Sequence, residues 1–381
     1  MRILHCCLAC FYIDNYSYQE NILPRYHKKM GHDVRIIAST ESFDKDGNIT
    51  YVASGEYLNE DDILVVRLPY ARYLPPKVAR KIRRYKGLQE QLALYLPDFI
   101  FIHDIQFLDI DIICDYARNN TVRIVADCHA DFSNSARNWF SRQILHGIVY
   151  KKCAQMINPY VEMFYGVLPA RVDFLRNVYN LPYTKTQLLV MGAEDDKANA
   201  SLKIEKKLQT RKKFDIDAND FVVVFGGKID QAKRQVLLLM DAVNTLDDPS
   251  IKLIVFGSII PEMKREVLYR CSDRVKYIGW ATSDESYDYF AMGNIACFPG
   301  RHSVFWEQVV GMGIPLIVKK WEGTTHVNVC NNVVFLDQDN QKEIQDSILH
   351  IKTNYDYYKS NAIKSREAFM YGKIAEKCLN F

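Results

Sequence analysis

The chain has 381 residues, of which 48% are apolar and 25% charged, and its formal net charge is +3. This length suits two domains of ordinary size, and the composition is that of a globular protein. So small a net charge gives no argument for nucleic acid as a partner, and no apolar run approaches the roughly 20 residues of a membrane span. The ten cysteines follow no repeated spacing, so we expect a reducing, cytoplasmic location rather than a disulfide framework.

The first half of the chain alternates short apolar runs with longer helical patterns. We predict strands at RILHCCL, DVRIIAS, ILVVRL, FIFIH, RIVADCH and AQMIN. The first of these contains Cys6 and Cys7 and is interpreted as a buried strand. A signal peptide is disfavoured because Arg2 is the only basic residue at its start. A metal site is disfavoured because no second Cys/His cluster supplies further ligands.

The second half continues the alternation. We predict strands at QLLVMG, FVVVFGG, KLIVFGS, VKYIGW, IACFPG, PLIVKK and NVVFL, and an amphipathic helix at the C-terminal end. Continuous apolar strands separated by helices are typical of parallel sheets covered on both faces. The two series predict an α/β protein with two doubly wound, Rossmann-like domains at residues 1–183 and 184–362.

One predicted strand of the second half leads into FGGKIDQAKRQ. Ligands of doubly wound sheets bind at the carboxyl ends of strands, where backbone N–H groups and helix N-termini face outward. Gly226 and Gly227 let the backbone approach an anion, and Lys228 and Lys233 can both reach it. The spacing is neither a P-loop nor a dinucleotide fingerprint. A diphosphate is the natural ligand, and the alternative is a solvated loop with surface lysines.

The ordered motifs of this half resemble the donor-binding domain of family-4 glycosyltransferases, which have the two-domain GT-B fold. In that family a glycine-arginine pair ends a strand and a lysine follows five residues later. Here Lys233 matches that lysine, and Lys228 replaces the arginine. The glycine turns at Gly257 and Gly279 and the segment GMGIPLIV follow in the family's order. The resemblance implies that these residues bind a nucleotide diphosphate-sugar.

The chain departs from the family between Pro299 and Gly313. The family has two glutamates eight residues apart here, one for the sugar and one for the ribose. The first is missing, and His302 with Ser303 occupies that turn. Counting back from Gly313 aligns Gln308 with the second glutamate, but we favour the neighbouring Glu307 as the ribose ligand. The alternative for Glu307 is a carboxylate that stabilises a helix start.

The first half resembles the N-terminal domain of the same family. Two predicted strands end in histidine, His103 and His129, and the resemblance implies that His129 faces the reacting sugar. Asp127 and Asp131 flank His129 and are candidates to orient it. Ser17 stands where the family has a glycine-rich turn. We expect Ser17, His103 and Asp131 on the acceptor side.

The resemblance implies transfer of a sugar to a saccharide or lipid-linked acceptor with retention of configuration, in cell-surface polysaccharide synthesis. It also implies that the two domains face each other across a cleft, and that residues 363–381 form a helix that packs back on the first. No cofactor is expected beyond the donor substrate. We predict no metal requirement, because lysines are available to neutralise the phosphates and the two DID segments at 109–111 and 215–217 lack the context of a metal motif.

Residues 72–86, from Arg72 to Lys86, carry seven basic side chains and no acidic one. This stretch is either a solvated helix face or a surface for anionic lipid, where each cation contributes on the order of 1 kcal/mol. The second interpretation predicts peripheral contact with the inner face of the membrane. Two other functions stay open: a nucleotide-sugar epimerase of the same architecture, and a non-catalytic glycosyltransferase-like subunit.

Overall fold

The computed structural model describes residues 1–44, 48–71, 75–132, 135 and 138–381. The chain forms two compact units, one of residues Met1–Val190 with Ala375–Phe381 and one of residues Met191–Ile374. The sequence prediction put the division between residues 183 and 184. Within the described ranges, no helix combines the length and the apolar character needed to cross a lipid bilayer.

The first unit is built on an eight-stranded sheet in the order β10-β9-β8-β7-β1-β2-β6-β5. All neighbours are parallel except β5, which runs antiparallel to β6 at the edge, and a separate hairpin joins β3 to β4. The strands are β1 (Arg2–Cys7), β2 (Asp33–Ser39), β3 (Glu41–Phe43), β4 (Ile49–Tyr51), β5 (Gly55–Leu58), β6 (Leu64–Leu68), β7 (Phe99–Ile102), β8 (Arg123–Cys128), β9 (Val161–Gly166) and β10 (Thr186–Leu188).

Helices flank this sheet and enclose a core made of continuous apolar strands such as FIFI of β7, which is buried along its whole length. They are α1 (Gln19–Lys29), α2 (Pro76–Ile82), α3 (Leu88–Tyr95), α4 (Ile110–Asn119), a π-helical segment (Ser141–Tyr150), α5 (Lys151–Ile157), α6 (Pro169–Asn177) and a 3₁₀ turn (Tyr183–Lys185). The last helix of the chain, α15 (Tyr371–Leu379), contributes its final turns to this unit.

The second unit has a six-stranded, fully parallel sheet in the order β13-β12-β11-β14-β15-β16. The strands are β11 (Phe221–Gly226), β12 (Ile251–Phe256), β13 (Val275–Tyr277), β14 (Ile295–Phe298), β15 (Leu316–Lys319) and β16 (Val333–Leu336). The helices are α7 (Asp195–Ser201), α8 (Ile204–Lys213), α9 (Val236–Asn244), α10 (Pro261–Tyr269), α11 (Ser283–Met292), α12 (Phe305–Gly311), α13 (Gln341–Thr353) and α14 (Tyr355–Ser365), with 3₁₀ turns at Gln231–Lys233, Thr325–Val327 and Arg366–Phe369.

The predicted α/β class with two Rossmann-like parallel sheets is confirmed, but two of the predicted strands differ. The run AQMIN lies in helix α5, where Cys153, Ala154 and Ile157 bury one helical face. An apolar run of this length fits a strand or a helix turn equally well. The run QLLVMG contributes β10, which pairs with β9 of the first sheet rather than starting the second. This pairing explains why the first unit extends to Val190.

The basic stretch at residues 72–86 is partly engaged inside the first unit. Arg72 lies outside the described residues. Of the basic side chains of this stretch that the structure describes, those of Lys81 and Lys86 are exposed. The other arginines of the stretch bond to the protein: Arg80 to Glu41, Arg83 to the Gln106 carbonyl, and Arg84 to Asp109 and Asp111 of the first DID segment.

Candidate functional site

The loops that follow β11 and β12 approach each other closely at the carboxyl end of the second sheet. Gly227 and Gly257 both have positive φ, +133° and +126°. A Cβ on Gly257 would lie 2.0 Å from the carbonyl oxygen of Gly227, so only glycine fits there. Gly226 is equally tight, because a Cβ would lie 2.3 Å from the ring of Phe256. Gly279, at the end of β13, accepts a hydrogen bond from the Gly257 N–H at 2.7 Å.

Lys233 lies in the 3₁₀ turn that follows this loop, with its ammonium beside Gly227. The distance from Lys233 Nζ to the position of a Cβ on Gly227 is 3.7 Å. The side chain is half-buried, and burial lowers the pKa of Lys233, with Asp230 opposing and Lys228 adding to the effect. No described residue forms a hydrogen bond or ion pair with either lysine ammonium. Two cations therefore stand at the carboxyl end of β11, with Asp230 near enough to influence Lys233 but not within ion-pair distance of its ammonium.

Glu307 is fully buried at the start of α12 and is held by two imidazoles. Its Oε1 accepts from Nε2 of His302 at 2.7 Å and from Nε2 of His326 at 2.8 Å. Burial alone would raise the pKa of Glu307, but the two histidines outweigh it and hold that pKa well below its usual range. Oε2 has no hydrogen-bond partner among the described residues. The carboxylate is thus ionised, with one oxygen held by two imidazoles and the other buried without a hydrogen-bond partner among the described residues.

The same three residues have the composition of a cation site, since one ligand atom from each lies within 4.8 Å of the others. The imidazole nitrogens, however, lie only 2.7 and 2.8 Å from Glu307 Oε1. Ligand atoms around a tetrahedral zinc, at bonds of about 2.0–2.1 Å, are separated by about 3.3 Å. The observed distances are those of charge-assisted hydrogen bonds. The geometry favours a hydrogen-bonded cluster over a metal centre.

Gln308 and Ser303 lie beside this cluster with different partners. Gln308 Nε2 donates to the Ser286 hydroxyl of α11 at 3.0 Å, so its side chain ties two helices together. Ser303 Oγ accepts from the backbone N–H of Phe305 at 3.5 Å, at the entrance to α12. Of the two adjacent candidates for the ribose ligand, the structure joins Glu307 to His302 and directs Gln308 to α11.

In the first unit, His103 and His129 follow adjacent strands and share one carboxylate. Asp127 Oδ2 lies 3.3 Å from His103 Nδ1 and 3.4 Å from His129 Nε2. Burial would lower the pKa of each histidine, but interactions that include the one with Asp127 raise both to about 9. His103 is fully buried, whereas the His129 side chain is 23% exposed. Only His129 of the pair can therefore meet a ligand.

The other two candidates of this unit are Asp131 and Ser17. Asp131 accepts from Arg171 Nε at 3.2 Å and is buried. Ser17 lies exposed in the loop before α1. Sequence reasoning missed His326 because it lies 19 residues from Glu307, on a separate turn. It also missed His5 and His27, which join His103 through buried hydrogen bonds.

No protein-family model and no curated protein sequence matches the chain. Solved structures do. A glycosyltransferase from Rickettsia africae superposes with a TM-score of 0.68 at 14% identity, covering 99% of this chain and 96% of that one. Sucrose-phosphate synthase from Thermosynechococcus elongatus gives 0.66 at 14% identity, covering 99% and 97%.

Two further structures contain nucleotide-sugars. Anabaena HepE in complex with UDP-glucose superposes with a TM-score of 0.64 at 15% identity, covering 100% of this chain and 98% of that one. UDP-GlcNAc 2-epimerase from Neisseria meningitidis gives 0.63 at 12% identity, with coverage of 100% and 98%. At identities this low, the superpositions establish a shared architecture and no more. The chain has the GT-B fold of these enzymes.

Proposed function

We propose that the chain is a glycosyltransferase that moves a sugar from a nucleotide diphosphate-sugar to a saccharide or lipid-linked acceptor. The observation that carries this proposal is the Lys233 ammonium, half-buried beside Gly227 and without a hydrogen bond or ion pair to any described residue. A cation in this position is arranged to receive an anion at the carboxyl end of a parallel sheet. UDP-glucose in the similar Anabaena structure supports a nucleotide-sugar as that ligand.

The lysines act on the charge that develops in the reaction. As the bond between sugar and diphosphate breaks, negative charge grows on the diphosphate. Lys228, Lys233 and the amides of the glycine loop stabilise that charge more strongly in the transition state than in the ground state. This difference in binding lowers the barrier to transfer.

The rest of the donor site is assigned from the same end of the sheet. Glu307 accepts hydrogen bonds from the ribose hydroxyls through Oε2, which no described residue occupies. The backbone at Gly226, Gly257 and Gly279 approaches the nucleotide. His302 and Ser303 stand at the turn where family-4 enzymes hold the donor sugar.

The first unit supplies the groups for the sugar and acceptor. His129 faces the reacting sugar, and Ser17, His103 and Asp131 belong to the acceptor side. Retention of configuration and a role in cell-surface polysaccharide synthesis follow from the resemblance to family-4 enzymes. Peripheral membrane contact through residues 72–86 is supported by exposed Lys81 and Lys86, and binding to vesicles of anionic lipid but not of neutral lipid tests it.

A thermal-shift panel with UDP, GDP, TDP, ADP and CMP, each with and without magnesium, tests the donor proposal. We expect one nucleoside diphosphate to raise the melting temperature without added metal, since lysines neutralise the phosphates. No shift from any nucleotide would contradict the proposal. A shift abolished by chelator and restored by zinc would instead identify His302, Glu307 and His326 as a metal site.

Two rival functions are supported by separate observations. The similar epimerase structure supports a nucleotide-sugar epimerase, and His302 in place of the family's first glutamate supports a non-catalytic subunit. Release of modified sugar in the absence of any acceptor identifies the epimerase. Nucleotide binding without turnover on any acceptor identifies the subunit.

A further inference from the structure

Three buried imidazoles form an unbroken row across the first unit. His27 Nε2 lies 3.1 Å from the carbonyl oxygen of Ala375 in α15, and His27 Nδ1 lies 2.9 Å from His5 Nε2. His5 Nδ1 lies 2.9 Å from His103 Nε2. The row ends where His103 Nδ1 meets Asp127 Oδ2 at 3.3 Å. All three rings are fully buried, so no solvent molecule replaces any of these contacts.

The ends of the row fix the number of protons that it holds. The carbonyl oxygen of Ala375 can only accept, so His27 Nε2 carries a proton. At the other end His103 Nδ1 faces Asp127 Oδ2 at ion-pair distance, outside hydrogen-bond geometry, and a proton on this nitrogen avoids setting its lone pair against the buried carboxylate. Each of the two contacts between rings needs one more proton. Three rings therefore share four protons, one more than three neutral imidazoles carry. Three of these protons are fixed by hydrogen bonds and the fourth by the ion-pair contact with Asp127, which together give the row one positive charge.

That charge resides on His103. Burial lowers the pKa of His5 and brings that of His27 to about 4, so both rings are neutral at pH 7. Burial would also lower the pKa of His103, but Cys7 and Asp127 raise it to about 9. The other titratable groups that act on the row and on Asp127 are Glu20 of α1, His32 after α1, Asp104 after β7, His129 after β8 and Cys378 of α15.

We propose that His27, His5 and His103 are positioning residues, whose shared extra proton holds Asp127 as a carboxylate directed at His129. Asp127 Oδ1 is fixed by the backbone N–H of Asp104 at 2.9 Å, and its Oδ2 accepts from Gln19 Nε2 at 3.2 Å and faces both imidazoles. The row's charge partly offsets the carboxylate that His129 faces. The catalytic meaning of this arrangement rests on the proposed role of His129, whereas the proton count does not.

Nitrogen-15 spectra of the wild-type protein labelled in histidine test the proton count directly. Within the row at pH 7 we expect one ring, His103, with both nitrogens protonated, and two neutral rings, His5 and His27, with the proton on Nε2. The buried ring of His146 lies outside the row and is assigned separately. Through-bond couplings should connect the rings across both N–H···N contacts. Three neutral rings, or no couplings, would overturn the proposal whatever the variants show.

The variant His5→Phe tests the effect on His129. A phenyl ring keeps the stacking on Phe101, at 5.6 Å between centroids, but it cannot accept the proton from His103. His103 then becomes neutral while its Nδ1–H still contacts Asp127. The uncompensated carboxylate should raise the pKa of His129, read from its nitrogen shifts, by about one unit or more. An unchanged pKa in folded His5→Phe protein contradicts the proposal.

A matched control is His146→Phe, which replaces another buried histidine of this unit that bonds to Tyr179 at 2.8 Å and lies outside the row. It should cost stability without moving the pKa of His129. The nucleotide panel tests the proposed function and the nitrogen spectra test the charged row, so either can give a negative result without the other. A protein that binds no nucleotide but shows the charged row loses the proposed function and keeps this arrangement as a structural feature.

Discussion

At the scale of single residues, Lys233 and Glu307 of the second unit differ in how their charges are compensated. Lys233 is half-buried with no hydrogen bond or ion pair to a described residue, whereas Glu307 is fully buried with two imidazoles on one oxygen. Burying an unpaired cation costs free energy, which the folded chain tolerates here and which an anionic ligand would recover. The Glu307 carboxylate is instead already stabilised by two imidazoles before any ligand binds. A ligand therefore gains binding free energy from Lys233 through charge attraction and from Glu307 through hydrogen bonding.

Substitution Lys233→Ala should lower turnover by about 10² or more, because one donor aimed at the developing charge is lost. Steady-state kinetics with the donor found in the nucleotide panel provides the measurement. The control is Lys264→Ala on the exposed side of α10, which should behave as wild type. Turnover within about threefold of wild type would remove Lys233 from this role.

Glu307→Gln should weaken binding of the nucleoside diphosphate by roughly tenfold, equivalent to about 1.4 kcal/mol. The amide keeps an oxygen for the imidazoles but loses the charge that strengthens the bond to a ribose hydroxyl. Calorimetric titration measures the affinity. Gln308→Leu breaks only the bond to Ser286 and should leave affinity unchanged. Weaker binding in Gln308→Leu with unchanged binding in Glu307→Gln would assign the ribose contact to Gln308.

At the scale of elements, the donor site depends on how closely two strand ends approach. The loops after β11 and β12 touch through Gly227 and Gly257, and the Gly227 N–H donates to Phe256 O at 3.0 Å. Helix α11 is supported nearby by a reciprocal cap in which Thr282 and Glu285 bond each other's backbone. The sheet and this cap hold the loops in place before any ligand binds.

Gly257→Ala should abolish nucleotide binding while the chain stays folded. The added Cβ would lie 2.0 Å from Gly227 O, so the loop that carries Lys228 must move. Gly31→Ala is the matched control, because Gly31 also has positive φ, +85°, but nothing lies within 4 Å of its Cβ position. Thermal shift with the cognate nucleotide distinguishes the two. Equal loss of the thermal shift in both variants would mean that backbone strain alone, rather than the contact with Gly227, governs binding.

At the scale of the whole molecule, buried histidines link stability to pH in two directions. The pKa of His103 rises from 6.5 to about 9, so its contribution is complete below pH 6.5 and is lost as pH rises toward 9. The pKa of His27 falls from 6.5 to about 4, so its contribution is complete above pH 6.5 and is lost as pH falls toward 4. Stability should be greatest near neutral pH.

Urea titrations between pH 5 and pH 9 should show the free energy of unfolding declining toward both limits. His103→Asn should reduce the alkaline decline, because one of the two histidines whose pKa is raised to about 9 has been removed and His129 remains. His350→Asn replaces an exposed histidine and should leave both declines in place. An alkaline decline that is unchanged in His103→Asn would assign it to other groups.

The architecture was predictable because its signals are local. The run FVVVFG of β11 is apolar and buried at every position, and such runs between helices identify parallel strands. AQMIN was predicted wrongly because five residues do not separate a strand from a helix turn. The close approach at Gly257 and the cap at Thr282 were visible only as a glycine and a capping pattern, without their partners.

By itself the sequence determined the two-sheet α/β fold, the glycine loops with their lysines, and the histidines that end β7 and β8. Only the tertiary structure decided which groups meet. It brought His326 to Glu307 across 19 residues and His5 to His103 across 98. Parallel strands place distant residues side by side at one edge, and a hydrogen bond depends on that distance in space, which the order of residues does not encode.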